Sequence, residues 1–238
     1  VVGSINMDLV IRTPRLPLPG ETIIGSEFAT VPGGKGANQA VAAAQLGAQV
    51  NMLGRVGTDD FGRSLRQNLS LSGVDTTNIL IDPGAATGVA VIEVDRNGQN
   101  TIVVASGANA HVTPADVDTA SAIITLANAL IVQLEVPLAT IEHALRLARA
   151  AHVLTILNPA PAQPLSTDVL VLADIIVPNE TEAALLTGIA VNDWASAETA
   201  ARILNRAGAN TVIITLGARG ALALENNQAI QVAPFPVN

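Results

Sequence analysis

Ser4, Asn6 and Asp8 alternate with Ile5, Met7 and Leu9 in the opening run VVGSINMDLVI. As a strand, that run puts the three polar side chains on one face and the three apolar ones on the other. Asn and Asp on a buried strand cost free energy unless they are hydrogen-bonded. At i and i+2 the pair could hold neighbouring hydroxyls of a polyhydroxylated ligand. The alternative puts Asp8 at the strand end, in solvent. A second polar break lies in FATVPGGKGANQAVAAAQLGA, residues 28–48. There Gly33-Gly34-Lys35-Gly36 leads into an alanine-rich helix, and phosphate is the first ligand to consider. A P-loop needs Ser or Thr after its Lys and an earlier Gly at fixed spacing. Lys35 is followed by Gly36, and no Gly stands at that spacing. Adjacent glycines still let the backbone approach a ligand and present N–H groups at a helix start. Gly34, Lys35, Gly36 and Asn38 would then serve a polyhydroxylated ligand. A sharp turn before a helix is the alternative.

Glu135 closes the apolar run ALIVQLE. A carboxylate at the tip of a parallel strand lies at the ligand edge of a doubly wound sheet. It could instead serve the N-terminus of a helix beginning near Pro137. In VPNETEAALLTG (177–188), Asn179 and Glu182 have capping-box spacing. Glu182 and Glu180 could also act near a metal-bound phosphate. The segment Thr215-Leu216-Gly217-Ala218-Arg219-Gly220 follows a strand. It reads as a hairpin turn, or as a loop offering backbone N–H groups to nucleotide phosphates. His111, His143 and His152 are far apart and lack metal-ligand spacing, so they read as structural. Asp59-Asp60 reads as an ordinary helix start, and Trp194 as packing.

The elements that must position these groups alternate along the chain. A strand over 1–11 and a Pro-rich connection precede a helix from about Ala37 to Gly47. A strand and an amphipathic helix over 60–72 follow. Two alternating runs, 86–95 and 100–108, are joined through Arg96-Asn97-Gly98, a hairpin signal. The strand–helix rhythm then returns: strand 129–134, helix 138–151, strand 153–157, strand 174–177, helix 179–187, helix 195–207 and strand 211–215. A hairpin over 219–232 ends the series. This pattern predicts an α/β fold, a doubly wound mainly parallel sheet with helices on both faces. The hairpin breaks the rhythm and is expected to join the strands of 9–30 in a small separate sheet. One domain spanning 1–238, with a β lid from about 9–30 and 86–106, is the expected organisation.

Composition narrows the function classes. Hydrophobic residues make up 49% of the 238 and charged ones 13%, which suits a sheet buried under helices. Net charge is −8, Lys and Arg total 12, and aromatics are 3 Phe and 1 Trp. No basic stripe with stacking aromatics exists, so nucleic acid is not an expected partner. The absence of cysteine excludes disulfide scaffolds, zinc ribbons and thiol nucleophiles. No apolar run is long enough to span a membrane, and no basic region precedes an apolar segment. A soluble, cytoplasmic protein without a membrane partner is expected.

The segments GSINMD, PGE, GGKGANQAVAAAQLGA, GRVGTDDFG, GANA, QLE, NPAPA, PNETEAALLTG and ITLGARG together resemble the ribokinase-like carbohydrate kinase family. They occur in the family's order over essentially the whole chain. NPAPA with PNETEA points within the family to its ribose-phosphorylating members. The resemblance implies ATP-dependent phosphorylation of D-ribose on the 5-hydroxyl, with Mg²⁺, and allows a monovalent cation (K⁺). By the same resemblance Asn6, Asp8, Gly34, Lys35, Gly36, Asn38 and Glu135 would bind the sugar. Asn179 and the loop Thr215, Leu216, Gly217, Ala218, Arg219 and Gly220 would bind the nucleotide, and Glu182 would help place the metal. A homodimer through the β lid is implied as well.

The resemblance also implies a glycine-rich segment ending in Asp, soon after QVAPFPV, that supplies the anion hole and the base. No Asp follows Asp193 and no Gly follows Gly220. No residue of 1–238 is therefore read as the catalytic base, and the chain is expected to be incomplete at both ends. A truncated sugar-binding fragment without kinase activity is the alternative from another class. A family kinase for another sugar or a nucleoside is a further one. A nucleoside would want aromatic stacking, and aromatics are scarce.

Overall fold

In the computed structural model, which describes residues 1–234, the alternating opening run becomes strand β1 (Asn6–Arg12). Contacts divide the chain into two units. The first holds Val1, Gly3–Val112 and Glu135–Pro137; the second holds Val2, Thr113–Leu134 and the chain from Leu138 onward.

In the first unit β1 is followed by β2 (Glu27–Gly33), α1 (Lys35–Gln45), β3 (Val50–Asn51), β4 (Gly54–Gly57) and α2 (Asp60–Leu71). Then come β5 (Val74–Asp75), β6 (Ile79–Asp82), β7 (Gly88–Val94), β8 (Asn100–Ala105) and a 3₁₀ turn, Gly107–His111. A four-stranded sheet runs β2-β1-β7-β8. Its β1–β2 and β7–β8 pairs are antiparallel, while β1 and β7 run parallel with Asn6 opposite Gly88. The β7–β8 connection is a five-residue loop, Asp95 to Gln99, and not a bare Asn-Gly turn. The Asp95 carboxylate accepts the N–H groups of Asn97 (2.8 Å) and Gln99 (2.9 Å) and so pins the loop. Ile5 and Met7 pack with Ala37, Ala40, Met52, Val56, Leu65 and Leu69 in the unit's core. Asn6 is buried as well, so the start of β1 has no solvent face. Each polar group there needs a partner.

Helix α1 begins at Lys35, two residues before the sequence suggested, because Gly34 takes the N-cap position at φ +91°. Helix α2 begins where Asp59 accepts the Gly62 N–H at 2.8 Å, an N-cap bond. The same carboxylate takes the Thr87 hydroxyl (2.6 Å) and amide (2.7 Å), tying the helix start to the entry of β7.

The second unit contains α3 (Pro114–Thr119), α4 (Ser121–Leu126), β9 (Ala129–Val132), α5 (Leu138–Ala150), β10 (Leu154–Leu157) and α6 (Thr167–Leu170). Next are β11 (Ile175–Ile176), α7 (Glu180–Thr187), α8 (Trp194–Arg206), β12 (Thr211–Thr215), β13 (Ala221–Glu225) and β14 (Gln228–Val232). Its six-stranded sheet is ordered β14-β13-β12-β11-β10-β9. It is parallel from β9 to β12 and antiparallel through β13 and β14. Strand–helix alternation dictates the parallel part, since each crossover returns the chain to the same edge. Helices α5 and α8 bury one stripe each: Ile141, Ala144, Leu145 and Ala148, and Ala197, Ala200, Ala201 and Leu204. Both stripes have the i, i+3, i+4, i+7 spacing of an amphipathic helix. Short helices α3 and α4 carried too little periodicity for the sequence to show them. Among the described residues no helix is long and apolar enough to cross a membrane.

Candidate functional site

Two groups of polar residues form, one in each unit. In the first unit the N-terminus of α1 docks on the chain just before β1. The Ala37 N–H donates to the Ser4 carbonyl (2.9 Å) and the Gly36 N–H to the Ser4 hydroxyl (3.3 Å). A Cβ on Gly34 would stand 2.7 Å from the Asn6 nitrogen, and one on Gly36 would stand 2.7 Å from the Ser4 nitrogen. The GGKG run therefore permits backbone-to-backbone packing, which is why the helix start can sit this close to the strand.

Glu135 completes this cluster. Its Oε2 accepts the Ser4 hydroxyl (2.5 Å) and the Lys35 N–H (3.1 Å), and its Oε1 lies 4.0 Å from Lys35 Nζ. This geometry revises one sequence reading of Glu135, that of an acid serving the helix near Pro137. The helix it serves is α1, 100 residues away, and not the one that follows it. Gly34 has no side chain to cap α1, so the carboxylate takes that place and meets the helix dipole. Asp8 shares the same field. Burial pushes its carboxyl pKa up, the Glu135 charge pushes it further, and Lys35 pulls it back. The Asp8 carboxylate lies over Gly33, where a Cβ would stand 2.4 Å from Oδ2.

Asn6 lies opposite Gly33 and Gly88 on its two neighbouring strands. Its Oδ1 accepts from Asn109 Nδ2 at 2.7 Å. Asn38 lies in the first turn of α1. Its exposed side chain borders a hollow of about 190 Å³ lined by Pro32, Val41, Leu65 and Leu69 among others. Its backbone N–H makes the first-turn bond to Gly34 (2.9 Å). Ser4 and Asn109 are the residues that sequence reasoning did not assign. Ser4 was visible in the alternation with Asn6 and Asp8. Asn109 lay within GANA with nothing local to mark its partner.

In the second unit Asn179 and Glu182 form a full capping box at the start of α7. Asn179 Oδ1 accepts the Glu182 N–H (2.8 Å). The Glu182 carboxylate accepts the Asn179 N–H (2.9 Å) and Nδ2 (3.0 Å). The end of β12 lies beside this cap: Thr215 bridges Asn179, and its N–H donates to the Pro178 carbonyl at 3.0 Å. Thr215 to Gly220 then turn through the 3₁₀ segment Gly217–Arg219. The amides of Leu216, Arg219 and Gly220 donate within the turn. Those of Gly217 and Ala218, first in a short helical turn, have no partner inside it. The Arg219 guanidinium pairs with Glu180 in the first turn of α7 and donates to the Asn192 carbonyl. The loop is thus both a hairpin turn and a clamp on α7.

Among the described residues no three His, Asp or Glu side chains cluster to hold a metal ion. Glu182 is the acid at the loop, and its oxygens already take the Asn179 N–H groups. Such a carboxylate suits a hydrated Mg²⁺, which keeps several waters and takes its other ligands from phosphates.

Over residues 1–238 the sequence matches the pfkB family of carbohydrate kinases. Ribokinase of Haemophilus influenzae is 44% identical over 237 residues, covering 100% of this chain and 78% of that protein. Deoxyribokinase of Salmonella typhimurium is 40% identical over 239 residues, again covering 100% of this chain and 78% of that protein. The structure of Arabidopsis thaliana ribokinase complexed with ribose and ATP superposes with a TM-score of 0.91 at 30% identity. It covers 99% of this chain and 77% of that one. This chain belongs to the pfkB family of carbohydrate kinases.

Proposed function

We propose that this protein transfers the γ-phosphoryl group of ATP to the 5-hydroxyl of D-ribose, giving ribose 5-phosphate and ADP. The observation that carries the reading is the Asp8–Lys35–Glu135 cluster beside the buried amide of Asn6. It offers acceptors and donors in alternation, which is what vicinal hydroxyls require. Similarity to ribokinases over the whole chain supports it. On this reading Asn6, Asp8, Gly34, Lys35, Gly36, Asn38 and Glu135 bind the sugar. Glu135 holds Lys35 and the start of α1 in place while the Asp8 carboxylate accepts hydrogen bonds from the sugar hydroxyls.

Phosphoryl transfer asks a protein mostly for positioning and charge stabilisation. Asn179 and the loop from Thr215 through Leu216, Gly217, Ala218 and Arg219 to Gly220 would take the nucleotide. There the amides of Gly217 and Ala218 are the donors left for phosphate oxygens. A bound Mg²⁺ would supply positive charge that neutralises the phosphates. Glu182 would hold it through water. Among the described residues none is assigned as the base or as a K⁺ ligand.

The four-stranded sheet would close over the sugar as a lid and join a second copy of the chain. Its exposed Phe28 (64%) and Val103 (65%) favour such a cover. Use of ATP goes with a cytoplasmic location.

Ribose-dependent ADP release by the full-length protein tests the reading. Absence of turnover with every pentose would overturn it, and ribose binding without ADP release would leave a sugar-binding protein. A second reading, phosphorylation of 2-deoxyribose, is favoured by the deoxyribokinase relative at 40% identity. The ratio of kcat/KM for the two sugars decides between them.

A further inference from the structure

Asn109 is 1% exposed and sits in the 3₁₀ turn after β8. Its Oδ1 accepts the Ile5 N–H at 2.9 Å, and its Nδ2 donates to the Ile5 carbonyl at 3.2 Å. A backbone N–H only donates and a carbonyl only accepts, so these bonds fix which end of the Asn109 amide is which. The second Nδ2 hydrogen goes to Asn6 Oδ1 at 2.7 Å. That bond fixes Asn6 in turn: the oxygen is turned to Asn109, and the NH₂ group is left for another partner. Asn6 is 2% exposed, and its Nδ2 donates to no group among the described residues. Gly88, across the β1–β7 register from Asn6, supplies the room. A Cβ there would stand 2.3 Å from both Asn109 Nδ2 and Asn6 Oδ1.

This orientation has a consequence for recognition. Asp8 follows Asn6 by two residues on the same strand and, when ionised, only accepts. A hydroxyl that meets both is satisfied at both ends, accepting from Asn6 and donating to Asp8. With Asn6 turned over, the same hydroxyl would face two acceptors with one proton, and one acceptor would go unserved.

We propose that Asn109 is a positioning residue for sugar recognition, which holds the Asn6 amide so that Asn6 meets the substrate only as a hydrogen-bond donor. The proposal rests on the sugar-kinase reading of the first unit. Asn109 does not touch the sugar; it acts through Asn6.

The test is a double-mutant cycle in the full-length protein, with ribose as substrate. In Asn109→Asp the carboxylate still accepts the Ile5 N–H but cannot donate to Asn6, so the Asn6 amide turns over. The sugar KM is expected to rise about tenfold while the KM for ATP changes less than twofold. In an Asn6→Ala background there is no amide to orient, and the same substitution is expected to change the sugar KM less than twofold. An equal rise in both backgrounds would overturn the proposal and leave Asn109 as a structural clamp on Ile5. Melting curves of all four proteins separate a folding defect, which lowers Tm in both backgrounds. Should Asn109→Asp not fold, Asn109→Ser, too short to hold Ile5 and Asn6 together, enters the same cycle under the same criteria. If the parent protein neither binds nor turns over a pentose, the sugar-kinase reading fails. If it does both and the cycle is additive, the orientation proposal alone fails.

Discussion

Three glycines around α1 allow strain and close approach to be measured separately. Gly47, after the helix, has φ +92° and open space where a Cβ would go. Gly34, before it, has nearly the same φ, +91°, but a Cβ there would stand 2.7 Å from Asn6 N and 2.9 Å from Ser4 O. Gly36 has no positive φ, yet its Cβ would stand 2.7 Å from Ser4 N and 2.8 Å from Gly3 C. Substitution by Ala should therefore cost only backbone strain at Gly47, about 1–2 kcal/mol. At Gly36 it should cost only overpacking against backbone that cannot swing aside, about 1–3 kcal/mol. At Gly34 both apply, and the loss should reach about 2–5 kcal/mol. In a chain of this length each kcal/mol moves Tm by about 2–4 °C, so the ranking is readable by calorimetry. Sugar KM should rise for Gly34→Ala and Gly36→Ala, because the Lys35 N–H is displaced from Glu135, and stay unchanged for Gly47→Ala. Equal Tm losses at Gly34 and Gly47, with KM unmoved in both, would refute the docking of α1 on β1 as the reason for the GGKG run.

Other perturbations separate the two units. Asn179→Ala removes the side chain that caps α7 and should cost about 1 kcal/mol while raising the KM for ATP and leaving that for ribose unchanged. Steady-state kinetics with each substrate varied in turn checks this, and a rise confined to the ribose KM would contradict it. Val103→Asp places a charge on an exposed apolar strand and should shift the sedimentation coefficient from dimer to monomer. An unchanged coefficient removes that face from the interface. Asp8→Asn should abolish ribose binding yet stabilise the fold as pH rises. The Asp8 pKa is raised by burial and by the Glu135 charge, so its protonated form is the one the fold favours. Its stabilising contribution is complete below the unfolded value and is lost as pH climbs through the raised folded one. The Tm gap between variant and parent should therefore open from about pH 4 upward. A gap that closes as pH rises would contradict the burial of Asp8.

Local chemistry was legible in the sequence where partners lie close along the chain. Asn179 and Glu182 are three residues apart and form the cap that their spacing announced. Asp59 caps α2, and the runs around Asn97-Gly98 form a hairpin. Glu135 shows where such reading stops. Its neighbours in sequence offered it a helix beginning near Pro137, and that is a local partner. The structure gives it the N-terminus of α1 because Gly34, chosen for close packing, cannot cap its own helix. One requirement created the other, and the two residues are 100 positions apart. The same holds for Asn6. Its polarity on a buried strand announced that a partner must exist, but the partner is Asn109, and the space for the pair comes from Gly88. A sequence displays which groups need satisfying. Which distant group satisfies them depends on how the strands register, and the β1–β7 pairing that sets it is parallel and non-local, with no turn to fix its offset.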